Sequence, residues 1–385
     1  MQPFIVNVGI DTVKVNVKLV DPDGNLVENQ VAPSELATML DVWQEQARTE
    51  STPVATSHSF HDARLVMLPN AATAWKYILK NDCLNISIVP RLKIAMLAKV
   101  TLSSAYLWDV EDLDKSLDEV HTFLIDLFGP HLALQMAQID MCVDLVGWKP
   151  PADWKRLFVT HAIGKRAIGE SDKDKEYFRG GTLETVLMSG HGCPVSCKIY
   201  DKRKEIIHNG NKKAWFYPRW QHQGWNGEDD VWRLEFSIER QGLHDMKLED
   251  IYETARNVKR LWAYCTQDWL RMVVPAPTKN RTRWATHPTW SLLQHAFDTY
   301  GDTTLDGLGP LVRKRNREAN MEQGVAAVAG YMTTLAAWDD ELPDDADPDE
   351  IFNMVIDKVR ARWHKLNIVP QDVVREKKFL YSQKA

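Results

Sequence analysis

Polar side chains at alternate positions mark three segments of the sequence, and this spacing places them on one face of a β-strand. The members of this polar set are Asp140 and Asp144 in the first segment, Lys198, Tyr200 and Lys202 in the second, and Arg233 and Glu235 in the third. If the three strands are neighbours, carboxylates, a tyrosine and cations meet on one surface. Carboxylate oxygens suit Mg²⁺ or Mn²⁺ better than zinc. The set therefore predicts metal-assisted phosphodiester cleavage.

Tyr200 is the candidate nucleophile of this chemistry. A phenol with a pKa of about 10 is weakly nucleophilic at pH 7, and nearby cations are expected to favour its phenolate. A metal would polarise the phosphate and stabilise the pentavalent charge, leaving a covalent phosphotyrosine. Simpler interpretations stay open at this point. Tyr200 could be a packing residue, the two aspartates a solvated strand face, and Arg233 with Glu235 a surface pair worth little.

The elements that must position these residues alternate between strand and helix patterns. Val13, Val15 and Val17 alternate with polar residues, which predicts a half-buried strand near the N-terminus. We expect an α+β fold with a curved, mainly antiparallel β-sheet and helices on its outer face, followed by a helical C-terminal region. The Pro-Ala-Pro run at 275–277 predicts a boundary between a domain at 1–275 and helices at 276–385, where 339–350 is an acidic linker.

Composition sets the class of protein. The chain has 385 residues, of which 44% are hydrophobic and 26% charged, a balance typical of a soluble globular protein. Five irregularly spaced cysteines argue against a disulfide scaffold and fit a reducing cytoplasm. The sequence shows neither an apolar run of about 20 residues nor a signal-peptide pattern, so we expect a cytoplasmic protein that makes no membrane contact.

Charge is unevenly distributed. The chain has a net charge of −6, yet residues 151–290 contain 24 Lys and Arg against 18 Asp and Glu. This basic middle third predicts a polyanionic partner that binds in one place. Within it, cations and aromatic residues interleave at Lys212, Lys213, Trp215, Arg219 and Trp220.

Interleaved rings and cations predict contact with DNA, because rings stack on unpaired bases and cations follow phosphates. The alternative for this stretch is a loop whose aromatic residues fold back onto the core. Arg281 and Arg283, just beyond the predicted boundary, could grip duplex DNA or simply solvate a linker. Lys198 and Lys204, on either side of Tyr200, are further candidates for DNA contact.

Several of these motifs together resemble the Rep_trans family, the rolling-circle replication initiators of plasmids and phages. The resemblance covers about residues 8–275 and depends on Ile199-Tyr200-Asp201-Lys202 followed by Trp232-Arg233-Leu234-Glu235, with Asp140-x3-Asp144 upstream and Ile10-Asp11-Thr12 near the N-terminus. It implies that Tyr200 attacks one phosphodiester at a replication origin and stays joined to the 5′ phosphate. The free 3′ hydroxyl would then prime synthesis.

The same resemblance implies roles for neighbouring residues. Asp144 is the preferred metal ligand, and the further candidates are Asp140, Asp11 and Glu235. Lys202 and Arg233 would contact phosphate or neutralise developing charge. The family often has an arginine two residues before the first aspartate of the acidic strand, whereas this chain has Gln138. A phosphate or carboxylate contact is therefore expected to be missing or supplied elsewhere.

Expected partners follow from the implied activity. The substrate would be origin DNA, single-stranded or extruded as a hairpin. The sequence lacks Gly-x4-Gly-Lys-Ser/Thr, so a host helicase would have to open the duplex for a host polymerase. Family analogy also suggests a homodimer.

Three other hypotheses remain. A relaxase would use the same chemistry at a transfer origin, and a catalytically silent DNA-binding regulator could share the fold. An RNase H-like nuclease or transposase would depend on Asp11 and not on Tyr200.

Overall fold

The structure, a computed structural model, describes residues 2–28, 30–71, 74–90, 96–151, 153–160, 175–179, 181–190, 192–278, 280–313, 317–343 and 345–375. The chain forms two compact units, Met1–Lys314 and Arg315–Ala385. The first unit extends beyond the boundary predicted at 275, because the chain after that point still packs on it. Trp290, Leu293 and Phe297 are buried in its main core, and Tyr300 Oη donates to the Val8 carbonyl at 2.8 Å.

The first unit is built on an antiparallel sheet, which in the described residues has eleven strands in the order β2-β3-β4-β5-β6-β1-β7-β12-β11-β10-β9. These strands are β1 (Phe4–Leu19), β2 (Val54–Phe60), β3 (Ala63–Met67), β4 (Trp75–Lys80), β5 (Leu84–Pro90), β6 (Ala98–Leu102), β7 (Leu132–Val146), β9 (Lys175–Arg179), β10 (Thr182–Met188), β11 (Val195–Asp201) and β12 (Val231–Glu239). A separate pair joins β8 (Phe158–Thr160) to β13 (Leu270–Met272). The predicted α+β class and antiparallel sheet are confirmed.

Ten α-helices of the described residues belong to this first unit. They are α1 (Ser34–Glu50), α2 (Ser104–Val110), α3 (Leu113–Phe128), α4 (Trp154–Leu157), α5 (Lys202–His208), α6 (Phe216–His222), α7 (Arg240–Asp245), α8 (Ile251–Arg256), α9 (Val258–Ala263) and α10 (Pro288–Gln294). A π-helical turn, Tyr264–Trp269, continues α9.

The register of the central strands brings the polar set together. In β7 and β12, Asp144 pairs with Arg233, and in β12 and β11, Arg233 pairs with Tyr200. On the other side of β7, Asn7 of β1 pairs with Asp144. The three polar-faced strands are therefore neighbours, as the predicted site requires, and the N-terminal half of β1 belongs to the same surface.

Helical segments pack against both faces of these strands. On the apolar face, Phe236 of β12 meets Trp262 of α9 and Trp269 in edge-to-face contacts. The polar face is covered by a second, smaller cluster of buried aromatic residues: Trp108, Phe216, Trp220 and Trp225. Gly9 lets the Trp108 ring lie directly against the backbone of β1, because a Cβ at that position would lie 2.3 Å from the ring. Most of the polar set is thus buried in the folded chain, while Lys198 and Glu235 are half-buried.

The second unit contains two helices in its described part, α11 (Arg317–Ala337) and α12 (Pro348–Lys365). Asp347 and Glu350 of the acidic linker form a capping box at the start of α12. Large apolar side chains of α11 are exposed, among them Tyr331 at 71% and, just after the helix, Trp338 at 76%. No described helix has both the length and the apolar character required to cross a membrane.

Candidate active site

Tyr200 lies at the centre of the polar surface, where β11 and β12 place it beside an acid and two amines. Its hydroxyl donates to Glu235 Oε2 at 2.9 Å, and Lys202 Nζ donates to the hydroxyl oxygen at 3.4 Å. Lys198 Nζ stands 4.0 Å from the centre of the tyrosine ring. The structure therefore brings together Tyr200, Glu235 and both lysines. Lys198 shares the strand face of Tyr200, as the alternation predicted, whereas Lys202 was expected on that strand and is instead the first residue of α5.

The protonation of Tyr200 differs from expectation. Burial, with a further contribution from the Glu235 carboxylate, raises the pKa of Tyr200 well above its ordinary value. The expectation that nearby cations favour the phenolate is wrong for this conformation, because desolvation and the acid outweigh them. Burial also lowers the pKa of Lys202, helped by the charge of Arg233, while Lys202 Nζ pairs with Glu205 Oε2 at 2.9 Å. Tyr200 is a hydrogen-bond donor to Glu235 in this state.

Arg233 is the centre of a buried ion-pair cluster. Its side chain is 0% exposed, its Nε and one terminal nitrogen donate to Asp144 at 2.6 and 2.9 Å, and the other donates to Asp11 at 2.6 Å. Burial by itself would lower the pKa of Arg233, but Asp144 and its neighbours hold it well above the ordinary value. The expectation that Arg233 contacts DNA phosphate is therefore corrected, since two carboxylates already occupy the guanidinium.

The carboxylates of this cluster are also fully engaged. Asp144 accepts two further hydrogen bonds, from Asn7 Nδ2 at 3.0 Å and from Trp220 Nε1 at 2.9 Å. Burial acts to raise the pKa of Asp11, but Arg233, Lys213 and Lys202 outweigh it and hold the pKa low. Both aspartates therefore act as counter-ions of Arg233.

The predicted metal ligands do not form a metal site in this arrangement. Within the described residues, no group of three His, Cys, Asp or Glu side chains is placed to hold a metal ion. Arg233 holds Asp11 and Asp144, which leaves Asp140 and Glu235, and Glu235 is the acceptor of Tyr200. The preference for Asp144 as metal ligand is corrected for the same reason, because a cation would have to displace four hydrogen bonds from its oxygens.

Gln138 makes a carboxylate contact itself, so the expectation that this contact is missing or supplied elsewhere is wrong for the carboxylate. Its Nε2 donates to both oxygens of Asp140, at 2.8 and 3.0 Å, and Lys14 Nζ donates to its Oε1 at 2.7 Å. The amide satisfies the carboxylate but does not neutralise its charge. Burial, together with the charge of Glu235, raises the pKa of Asp140 to about 7.

Asp140→Asn is expected to raise the free energy of unfolding, increasingly so between pH 4 and 7. In the folded protein the pKa of Asp140 is about 7, above its ordinary value of 3.8. The folded state therefore keeps a proton that the unfolded chain has released, and stability falls as pH rises through this interval. Thermal melting in EDTA across this range measures the effect.

Asp144→Asn is the matched control for this experiment, on the same strand and face. It should lower stability at every pH in the range, because Arg233 loses its bidentate counter-ion. A difference between Asp140→Asn and wild type that stays constant with pH would contradict the prediction.

A cap segment, residues 211–225, closes over the polar surface. Phe216 lies beneath the Arg233 guanidinium, 4.6 Å from ring centre to Cζ, and Lys213 Nζ lies 3.8 Å from Asp11 Oδ2. Trp220 is 0% exposed and donates to Asp144. The expectation that Trp220 stacks on DNA is therefore wrong for this conformation, and the alternative that the aromatic residues fold back onto the core is confirmed for Phe216, Trp220 and Trp225.

The other predicted DNA contacts divide between accessible and internally bonded residues. Lys212 and Arg283 are exposed, and Trp215 is half-buried and stacked on Phe216 at 3.9 Å. Arg281 is internally bonded, since one of its terminal nitrogens donates to the carbonyls of Lys155, Arg156 and Phe158. It fastens the end of α4 and is not free to grip DNA.

Lys204 and Arg219 are partly buried beside acids. Lys204 Nζ lies 3.4 Å from Asp201 Oδ2, and Arg219 donates to Glu111 and to the Trp108 carbonyl. Either cation could reach a phosphate only in competition with these acceptors.

Two contributors to the site were missed from the sequence. Asn7 reaches Asp144, but a bulge between Ile5 and Asn7 hides its place in the alternation of β1. Phe216, beneath Arg233 and Lys202, was not distinguished from the other rings of its segment. The Lys202-x2-Glu205 spacing at the start of α5 did carry a signal for the Glu205 pair.

Comparison with known proteins found a likeness among solved structures. The chain matches no family model and no curated protein. Among solved structures, it resembles a rolling circle replication initiator protein from Geobacillus stearothermophilus, with a TM-score of 0.46 and 13% sequence identity. The match covers 82% of this chain and 99% of that chain. Because the superposition is this loose, the assignment of function has to rest on the site itself.

Proposed function

We propose that this protein is a site-specific DNA nickase that initiates rolling-circle replication through a covalent phosphotyrosine on Tyr200. The observation that carries the proposal is the 2.9 Å hydrogen bond from the Tyr200 hydroxyl to Glu235, with Lys202 beside the same oxygen. A nucleophile bonded to a base is the arrangement that covalent catalysis requires. The interpretation of Tyr200 as a packing residue leaves the half-buried Glu235 without a role.

The proposed reaction uses the groups around Tyr200. Its oxygen attacks phosphorus while its proton passes to Glu235, so an O–P bond forms and the bond from phosphorus to the 3′ oxygen breaks. The 3′ oxygen leaves with the bonding electrons and takes a proton from solvent, and the 5′ phosphate stays on Tyr200. The Lys198 and Lys202 ammonium groups are placed to stabilise the charge that develops on the phosphate. Attack by a 3′ hydroxyl on the phosphotyrosine reverses these steps and rejoins the strand.

This reaction requires the cap segment to move. Tyr200 is only 4% exposed, and Phe216 and Trp220 cover the surface next to it. While the cap segment is closed, the Tyr200 phenol is protonated and shielded from solvent. Opening of the cap segment would admit solvent and phosphate and would remove the desolvation that raises the pKa of Tyr200. The positive charges of Lys198 and Lys202 would then favour the phenolate.

A cleavage assay tests the proposal. Single-stranded origin DNA labelled at the 5′ or the 3′ end is incubated with Mg²⁺, with Mn²⁺ or with EDTA, and the products are separated on denaturing gels. A labelled band that migrates with the protein is expected from the strand that carries the new 5′ phosphate. The metal requirement stays a prediction from the resemblance, and the EDTA lane decides it.

Glu235→Gln is expected to slow nicking by about 10²- to 10⁴-fold, the contribution typical of a general base. The amide preserves the shape of the side chain but cannot take the tyrosine proton. Glu239→Gln, four residues along the same strand face, is the matched control and should nick at the wild-type rate. Single-turnover kinetics at saturating protein separate this step from DNA binding. A Glu235→Gln rate within threefold of wild type would remove Glu235 from the mechanism.

A catalytically silent DNA-binding regulator is the second candidate, and the burial of Tyr200, which is only 4% exposed, favours it. This protein would bind origin DNA equally well with and without the Tyr200 hydroxyl and would form no adduct. A relaxase would give the same covalent product, and mapping the nick relative to the replication origin separates it from an initiator.

The proposed partners are origin DNA, a host helicase and a host polymerase. A homodimer belongs to the same proposal, and the exposed apolar side chains of α11 support it. These side chains include Met321, Val325, Val328 and Tyr331. A helix that is apolar over much of its surface is normally covered by another protein surface.

A further inference from the structure

The first half of β1 has an open edge. β7 pairs with β1 along one side from Phe4 to Leu19, whereas β6 pairs on the other side only with Val13–Val17. A cavity of about 970 Å³ runs along the edge left open, residues 5–10. Its volume lies at the upper end of the range for small-ligand sites. The side chains that matter to its chemistry are Asn7, Trp108, Trp215, Arg219, His222 and Tyr300.

Helix α6 contacts the ion-pair cluster with one face and lines this cavity with another. Phe216 and Trp220, four residues apart, pack on the cluster. Trp215, Arg219 and His222 follow the i, i+4, i+7 spacing of the neighbouring helix face and line the cavity. One wall therefore presents an aromatic ring, a guanidinium and an imidazole together.

Asn7 connects the cavity to the proposed chemistry. It lines the cavity, and its Nδ2 donates to Asp144, which holds Arg233. Asn7, Asp144, Arg233 and Tyr200 are successive register partners across four strands. Three strand spacings separate Asn7 from Tyr200, a distance of about 14 Å. A ligand in the cavity would thus lie beside the nucleophile's own row of side chains.

The open edge is unsuited to pairing with a peptide strand. Tyr300 Oη already donates to the Val8 carbonyl at 2.8 Å, and an added strand would need that acceptor. Bulges between Ile5 and Asn7 and between Ile10 and Thr12 further interrupt the edge. A compact ligand with rings and a phosphate fits the walls better than an extended backbone.

We propose that this cavity binds nucleotides of unpaired DNA that flank the nick. The inference rests on the proposed function and deepens it by placing the flanking strand. A base would stack on Trp215, which is half-buried, while a phosphate would compete with Glu111 for Arg219. Occupancy would pull Arg219 away from Glu111 and the Trp108 carbonyl, and so break two hydrogen bonds that hold α6 to α2 and its C-terminal cap.

Fluorescence anisotropy of fluorescein-labelled, mixed-sequence single-stranded oligonucleotides tests the cavity on the full chain. Trp215→Leu is expected to weaken binding about tenfold or more, which is the loss typical of one stacked base. Arg219→Gln should weaken binding and lower the slope of affinity against salt by about one charge. Trp43→Leu, at another half-buried tryptophan outside the cavity and outside the basic middle third of the chain, is the matched control and should bind like wild type.

The outcomes separate this inference from the proposed function. Wild-type affinity in both Trp215→Leu and Arg219→Gln, alongside a covalent adduct that depends on Tyr200, overturns the cavity assignment alone. Wild-type protein that neither binds single-stranded DNA nor forms an adduct overturns the proposed function and this inference with it. Weakened binding in both cavity variants, with the control unchanged, supports the assignment.

Discussion

Tyr200→Phe is expected to abolish nicking and the covalent protein–DNA product together. The change removes only the oxygen that would attack phosphorus and leaves the buried ring in its place beneath Lys198. Loss of a covalent nucleophile lowers rates by roughly 10⁴-fold or more in well-studied enzymes, so the residual rate should be at background. End-labelled origin DNA on denaturing gels measures both products in one experiment.

Tyr217→Phe is the matched control for this change. Tyr217 lies on the cap segment and packs against Trp220 and Trp225, so its hydroxyl has no place in the proposed reaction. It should nick and form adduct like wild type. Nicking by Tyr200→Phe without an adduct would indicate a water nucleophile and turn attention to Asp11. Tight origin binding by the wild type and by Tyr200→Phe, without cleavage by either protein, would favour the regulator.

Arg233→Met is expected to destabilise the first unit by about 3–5 kcal/mol, the cost typical of breaking a buried ion pair from one side. Methionine has an unbranched apolar chain, so the loss comes mainly from charge and hydrogen bonding. Asp144 and Asp11 would be left buried without their counter-ion. Urea unfolding followed by circular dichroism gives the change in free energy of unfolding.

Arg240→Met is the control for Arg233→Met, since Arg240 is half-exposed and 3.9 Å from Glu249. A surface pair of this kind contributes about 0–1 kcal/mol. If the two variants lose the same small amount, the Arg233 cluster is open to water in solution and the cap segment does not close it. A further change of Asp144 to Asn in the Arg233→Met background should recover part of the loss, because one unpaired charge is removed.

The α+β class and the grouping of Tyr200 with Glu235 could be read from alternation. Side chains two residues apart share a strand face, so three alternating segments that pair in register must place their polar rows side by side. Predicting that grouping needed no contact between distant residues other than the pairing of the strands. The departure at Gln138 was also visible in the sequence, whereas the burial and the Glu235 charge that raise the pKa of Asp140 were not.

The sequence alone could not show which polar groups of the site are already held by other side chains. Asp140 and Asp144 occupy equivalent places in the pattern, yet Asp144 holds Arg233 while Asp140 meets only an amide and a hydroxyl. The difference comes from the register of β7 and β12, which sets Asp144 opposite Arg233 and Asp140 opposite Ser237. Asn7 and Trp220 of the cap segment, both far away in the sequence, then add hydrogen bonds to Asp144. Trp220 illustrates this, because burial rather than composition decides whether a ring can meet a base.

Local residue order determines which side chains share a strand face, because the period of a strand is a property of the backbone. It thereby placed Lys198 with Tyr200 on one face of β11, and Arg233 with Glu235 on one face of β12, before any tertiary contact was known. Tertiary structure decided which of the charges neutralise one another, which groups lie beneath the cap segment, and where the open edge of β1 leaves a cavity. Those outcomes depend on desolvation and on distances between strands and helices far apart in the chain, and no local pattern encodes them.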